Sequence, residues 1–208
     1  MIKVIIVDDH PVVRRGLKQI IDDEPDMKVV GEAQNAGEFF SLVRKTDCSL
    51  VLLDISLPDK SGFDVLKQLQ YELPKIPVLI LSIHPEEQYA VRFIKAGASG
   101  YLMKESAPEE LVKAIRKVNA GGKYVSASLA ERMVDRFDAS NKPPHENLSN
   151  REFQILCMIV QGMTLKSIAD ELCISEKTVS TYRARILEKM KMNTNADLIR
   201  YALDNHLV

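Results

Sequence analysis

The sequence carries no surplus of basic charge to announce nucleic acid: its 208 residues have a formal net charge of −1. Neither 1–145 nor 146–208 is basic when counted alone, so charge that meets DNA must be concentrated locally. Cysteine is scarce. Cys48, Cys157 and Cys173 are odd in number, sit in apolar contexts and lack metal-ligand spacing. Buried free thiols in a reducing compartment are expected. His10, His84, His145 and His206 lack metal-ligand spacing too. No apolar run approaches the roughly 18–20 residues of a membrane span. The opening Met1–Val7 is too short for a signal-peptide core and runs directly into Asp8 and Asp9. The expectation is a cytoplasmic protein with no membrane partner. Internal repeats and long low-complexity segments are absent from the sequence.

What is present is an ordinary globular composition, 46% apolar and 27% charged, and a length that suits two domains better than one. Short apolar runs alternate with amphipathic stretches through the N-terminal part. Strands are predicted at Ile2–Val7, Lys28–Ala33, Leu50–Leu53, Val78–Leu81 and Gly100–Met103. Helices are predicted at Pro11–Asp23, Ala36–Lys45, Gly62–Tyr71, Pro85–Ala96 and Pro108–Ala120. Pro11 and Pro108 suit the first helical turn, and Gly97 and Gly121 suit helix stops. Nearly unbroken apolar strands alternating with helices imply a parallel sheet covered on both faces. A short helix at Ala127–Phe137 and a polar linker, Ala139–Pro144, are expected before an all-helical tail.

The polar residues at the strand ends carry the chemistry. Asp8 and Asp9 follow the first strand, Asp54 the third, Ser82 ends the fourth and Lys104 follows the fifth. Ligands of open parallel sheets bind outside the carboxyl ends of the strands, so these positions converge on one rim. Each carboxylate pair crowded there repels by about 4 kcal/mol at ~4 Å and an effective dielectric near 20. A divalent cation relieves that repulsion, and Mg²⁺ suits carboxylates, a carbonyl and waters. Taken singly, Asp9 and Ser82 read as helix caps and Lys104 as a solvated lysine. Their joint placement argues for a site.

The stretches VIIVDDHPVVRRGL, LLDISLPDKSGFDVL, LILS and AGASGYLMK resemble a response-regulator receiver domain. The resemblance covers 1–121 and implies a flavodoxin-like (CheY-like) five-stranded, doubly wound parallel fold. It implies that Asp54 takes a phosphoryl group from a sensor histidine kinase, with Mg²⁺ held by Asp8, Asp9, Asp54 and the Ser56 backbone carbonyl. Lys104 would pair with the phosphoryl oxygens. Ser82 would turn its hydroxyl toward them, and Tyr101 would rotate into the space vacated. Ile83 is bulkier than the small residue often found there, and Glu105 replaces a common proline. His84 reads either as a border of the phosphoryl pocket or as an exposed histidine at a helix start.

In the tail, Thr164 suits the cap of a helix through Leu172, and Cys173-Ile174-Ser175 makes a tight connection to a helix at Glu176–Met190. Such a pair implies helix-turn-helix packing, with small Ala169 at the close approach. At 100° per residue, Val179, Tyr182, Ile186 and Met190 share the core side. Lys177, Thr181, Ala184 and Glu188 point away, flanked by Thr178, Ser180 and Arg185. Short polar groups and cations there suit a major groove. Arg183 lies nearer the core, and Lys189 and Lys191 suit phosphate contacts. On the final helix, Asn195–His206, Ala196, Ile199, Ala202 and Leu203 form an apolar side expected to be mostly core.

NLSNREFQILCMIVQGMTLKSIADELCISEKTVSTYRARILEKMKMNTNADLI is similar to the LuxR-type output domain of the NarL/FixJ group. That resemblance implies DNA contacts at Lys177, Ser180 and Thr181, with Thr178, Arg185 and Lys189 joining them on the helical-wheel reading. It also implies a homodimer on phosphorylation or DNA binding, and RNA polymerase as a further partner. The expected division is a receiver at 1–121, a linker with a short helix at 122–145 and an output domain at 146–208. The protein is expected to be no enzyme beyond phosphoryl acceptance and slow autodephosphorylation. Two other readings stand beside this one. A phosphohydrolase using Asp54 would need an Asp-x-Asp motif after its first strand, whereas this strand ends in an adjacent pair. An output domain working through RNA or protein contacts is left room by its near-neutral charge.

Overall fold

The computed structural model describes residues 1–84, 86–126, 129–130, 143–205 and 207. The chain divides into two compact units, Met1–Met133 and Val134–Val208.

In the first unit the strands are β1 (Ile2–Val7), β2 (Met27–Ala33), β3 (Leu50–Asp54), β4 (Val78–Ser82) and β5 (Gly100–Met103). They pair in parallel in the order β2-β1-β3-β4-β5. The helices are α1 (Pro11–Asp22), α2 (Ala36–Val43), α3 (Gly62–Glu72), α4 (Glu86–Lys95) and α5 (Pro108–Asn119). This is the flavodoxin-like order, whose reversal point opens a crevice at the carboxyl ends of β1 and β3. Central strands β3 and β4 are buried along their whole length, which explains their unbroken apolar runs. One face packs Leu52, Leu79 and Leu81 against Ile21, Leu111, Ile115 and Val118 of α1 and α5. Phe39, Val65, Leu66, Leu69 and Phe93 are likewise buried.

Pro11 and Pro108 occupy first-turn positions, as expected. The segments after α4 and α5 turn at Gly97 (φ +109°) and Gly121 (φ +85°), backbone that a side chain would strain. Gly62 has a different reason. A Cβ there would lie 2.5 Å from the Asp54 carbonyl oxygen and 2.8 Å from the Ile55 Cα. Its N–H donates to the Ile55 carbonyl at 2.8 Å, so a bare backbone holds the loop after Asp54 tightly against α3.

Past β5 the chain returns to the sheet edge: the Tyr101 N–H donates to the Tyr124 carbonyl at 3.0 Å. Most of the helix expected at 127–137 lies outside the described residues, as do linker residues 139–142, Pro85 and His206.

The described part of the second unit is helical: a 3-10 turn at Pro144–Asn147, then α6 (Asn150–Val160), α7 (Leu165–Glu171), α8 (Glu176–Met190) and α9 (Asn195–Asp204). Ser149, Thr164, Ser175 and Thr194 each accept a hydrogen bond from the first turn they cap, each such cap contributing about 1 kcal/mol. Buried His145 holds the entry, its Nδ1 lying 2.8 Å from the Tyr201 hydroxyl. Among the described residues no helix is long and apolar enough to cross a membrane.

The cysteine expectation needs correction. All three are free, but only Cys157 is buried; Cys48 is intermediate and Cys173 exposed. Cys173 sits in the turn between α7 and α8 with φ +51°.

Candidate functional site

Asp54 ends β3, Ser82 ends β4, and Asp8 and Lys104 are the first residues beyond β1 and β5. The parallel register brings them to one rim. Asp8 is 1% exposed, Asp54 3% and Ser82 1%. Lys104 Nζ lies 2.6 Å from Asp8 Oδ2 and 2.8 Å from Asp54 Oδ2. Burial pushes the Asp54 carboxyl up to about 6; Lys104 draws it down, and the Asp8 charge adds to the rise. For Lys104, burial works against the ammonium, but Asp54 and Asp8 outweigh it and hold the group above its ordinary value. Arg14 donates to the Asp8 carbonyl at 2.6 Å, and Asp8 Oδ1 accepts the His10 N–H at 2.8 Å.

The donor set fits a divalent cation. Asp8, Asp9, His10 and Asp54 each offer a ligand atom, all within 4.8 Å of one another. Asp8 Oδ2 and Asp9 Oδ1 are buried and accept no well-aligned hydrogen bond from the described residues, although Lys104 Nζ and His10 Nδ1 stand at 2.6 and 2.7 Å. Carboxylate oxygens with lone pairs to spare are what Mg²⁺ takes. Ser56 is exposed on the loop beyond β3, and its N–H reaches Asp54 Oδ1 at 3.3 Å.

His10 joins this cluster although no second histidine stands at ligand spacing from it. The usable signals were its place directly after Asp8-Asp9 and its position before Pro11, where a short polar cap is usual.

Ser82 and Tyr101 both bond the backbone of His84, on either side of its Cα. Ser82 Oγ accepts the His84 N–H at 2.8 Å, and the Tyr101 hydroxyl donates to the His84 carbonyl at 2.9 Å. The expectation had Tyr101 swinging inward after phosphorylation. Its ring is 2% exposed, with Phe93 beside it at a centroid distance of 6.3 Å. His84 is neither fully exposed nor deeply buried. Its ring lies 4.9 Å from that of Tyr89, and burial, with Lys104 nearby, lowers its pKa. Ile83 is 62% exposed.

In the second unit, Val179, Ile186 and Met190 of α8 are buried as expected, with Tyr182 partly so. Ala169 of α7 is 5% exposed, consistent with a close helix crossing. Lys177, Ser180, Thr181 and Arg185 are exposed, and Thr178 is half-buried. Thr178 Oγ1 lies 2.7 Å from the capping Ser175 Oγ, and the Thr181 hydroxyl donates to the Lys177 carbonyl at 2.9 Å. Arg183 Nε bonds Asn195 Oδ1 at 2.7 Å, in keeping with a packing role. Lys189 Nζ, expected from the sequence at a phosphate, bonds Oε2 of buried Glu152 at 2.7 Å, so its charge is paired within the unit. Burial tends to raise the Glu152 pKa, yet Lys189 and Ser149 bonds outweigh it and lower it.

The apolar face of α9 also needs correction. Leu198 and Ala202 form its buried side, whereas Ile199 and Leu203 are 37% and 59% exposed and Ala196 is exposed. Positions 196, 199 and 203 fall on one helical stripe, and the core lies beneath the neighbouring one.

Residues 4–116 match the family described as the response regulator receiver domain, and residues 146–202 match the bacterial regulatory proteins of the luxR family. Among curated relatives, the response regulator GacA of Pseudomonas protegens is 37% identical, with 100% of this chain and 98% of that protein covered. The response regulator UvrY of Escherichia coli is 34% identical, with 100% and 96% covered. Among solved structures, the response regulator ChrA of a heme-sensing two-component system superposes with a TM-score of 0.53 at 30% identity, covering 100% of this chain and 98% of that one. A receiver fold with an acidic rim, followed by a LuxR-type helix-turn-helix, therefore has one reading: the chain belongs to the two-component response regulators of the NarL/FixJ type.

Proposed function

We propose that Asp54 accepts a phosphoryl group from a sensor histidine kinase and that this controls dimerisation and sequence-specific DNA binding. In this reading 1–121 is the receiver, 122–145 the linker and 146–208 the output domain. The carrying observation is a buried carboxylate, Asp54, poised 2.8 Å from the Lys104 ammonium beside Asp8.

An Asp54 oxygen attacks the phosphorus of a phosphohistidine; the P–N bond breaks and the imidazole leaves with its electron pair and takes up a proton. Asp8, Asp9, Asp54 and the Ser56 carbonyl are the proposed holders of Mg²⁺. When bound, Mg²⁺ offsets the negative charge of carboxylates and phosphoryl oxygens. Lys104 transfers its ion pair from Asp54 Oδ2 to a phosphoryl oxygen, placing positive charge where negative charge accumulates. Ser82 Oγ leaves the His84 N–H and turns to the phosphoryl group, which favours one arrangement by differential contacts. Water returns the phosphoryl group to phosphate by slow autodephosphorylation.

Lys177, Thr178, Ser180, Thr181 and Arg185 are the proposed DNA contacts at the N-terminal half of α8, with Lys189 assisting only if its Glu152 pair opens. The exposed Ile199 and Leu203 of α9 suit a homodimer contact. A transcription regulator of this kind works in the cytoplasm with RNA polymerase as a further partner. Sedimentation and genomic footprinting, with and without a small phosphodonor and Mg²⁺, test the whole. Dimerisation and discrete duplex footprints that require Asp54 support it; donor-independent sedimentation and footprints contradict it.

A further inference from the structure

His10 occupies the N-cap of α1, yet its side chain makes no capping hydrogen bond. The ring instead turns back to the acidic rim, with Nδ1 2.7 Å from Asp9 Oδ1 and 3.3 Å from Asp8 Oδ1. It keeps 63% of its surface, so reorientation of the ring is sterically open. Asp8 Oδ2 and Asp9 Oδ1 are buried without a well-aligned hydrogen bond. One atom from each of Asp8, Asp9, His10 and Asp54 lies within 4.8 Å of the rest. Lys104 engages Asp8 and Asp54 through their Oδ2 atoms, and His10 approaches Asp8 and Asp9 through their Oδ1 atoms, so the imidazole and the ammonium approach different oxygens.

We infer that His10 is a further protein ligand of this metal site and widens its choice beyond Mg²⁺ to divalent transition ions that accept imidazole nitrogen. The inference rests on the metal reading above. An all-oxygen set suits Mg²⁺, which binds few protein ligands and keeps its waters. A neutral imidazole added to carboxylates favours Co²⁺, Ni²⁺ or Zn²⁺, whose affinity for nitrogen donors exceeds that of the early divalent ions. Mg²⁺ gains little from the ring, so His10 separates the two classes of cation while leaving the carboxylates common to both.

Calorimetric titration of the full chain with MgCl₂ and with CoCl₂ at neutral pH tests this, using wild type, His10→Gln, His10→Asn and Asp9→Asn. His10→Asn places a good capping residue at the start of α1, so a fold defect is not expected to mimic ligand loss. The expected result is a Co²⁺ affinity at least about tenfold weaker in both His10 variants, with Mg²⁺ affinity changed less than about twofold. Asp9→Asn weakens both ions, which locates them at the rim. Pulsed EPR of the Co²⁺-loaded wild type at low temperature is expected to show a directly bound nitrogen that His10→Gln removes. Equal Co²⁺ affinity in wild type and both His10 variants, with no nitrogen coupling, overturns the inference while Mg²⁺ uptake keeps the parent reading. Uptake of neither ion by the wild type overturns both.

Discussion

Lys104 Nζ lies 2.8 Å from Asp54 Oδ2, with the lysine side chain 11% and the aspartate side chain 4% exposed. Buried together, the two groups hold in advance a positive charge next to the oxygen that the phosphoryl group is proposed to join. The barrier to that transfer therefore includes little reorganisation of the lysine.

Lys104→Met is expected to slow phosphate incorporation from a small phosphodonor by about 100-fold, the scale on which a fixed electrostatic stabiliser acts. Stopped-flow or intact-mass time courses measure it. An unchanged rate would remove Lys104 from the transfer step and leave it a structural role.

Asp54 makes stability depend on pH in a direction that can be worked out. Its carboxyl is raised from 3.8 to about 6 by burial, against the pull of Lys104. The fold thus favours the protonated form. That contribution is present in full below the unfolded value and is lost as pH rises through about 6, an upper bound of about 3 kcal/mol. Asp54→Asn removes the titration. In chelator, its melting temperature should gain on the wild type by about 5 °C between pH ~4.5 and pH ~7.5. Added Mg²⁺ should narrow the gap at the higher pH. A gap independent of pH contradicts the assignment.

Ser82→Ala separates acceptance from transmission. Ser82 Oγ accepts the His84 N–H, and the His84 carbonyl, in the next peptide, accepts the Tyr101 hydroxyl. In the proposed switch the serine is the member that meets the phosphoryl group. Ser82→Ala should still accept phosphate at Asp54, but the gain in DNA affinity on phosphorylation should shrink by about tenfold, within the usual range of coupling between sites. Fluorescence anisotropy with a footprinted duplex reads the gain directly.

Two lysines of α8 should behave differently. Lys177→Ala should weaken duplex binding and lower the slope of log affinity against log salt by about one, with little change in melting temperature. Lys189→Ala should lower stability by about 1 kcal/mol, because it leaves the buried Glu152 carboxylate without its cation. Thermal melts and salt titrations of both variants distinguish the roles.

Much of this was legible in the sequence because parallel strands buried on both faces leave little choice of register or residue. Leu50–Asp54 and Val78–Ser82 are apolar up to their last residue, so the first polar residue marks the rim. Caps at Thr164 and Ser175 fixed α7 and α8 equally well. What the sequence hid depends on tertiary partners. The commitment of Lys189 to Glu152 spans 37 positions. On α9, Leu198 and Ala202 face the core while Ile199 and Leu203 face out, because an apolar count does not say which of two adjacent stripes is covered. His10 has no second histidine at ligand spacing to mark it; the acids it meets are its immediate neighbours in the chain.

The central claim is that Asp54 is the phosphoryl acceptor, and peptide-resolved mass spectrometry after brief exposure to a small phosphodonor with Mg²⁺ tests it most directly. The account predicts the mass gain of one phosphoryl group on the peptide holding Asp54, absent from Asp54→Asn and abolished by chelator. A chain left unmodified, or modified equally well in Asp54→Asn, would contradict it.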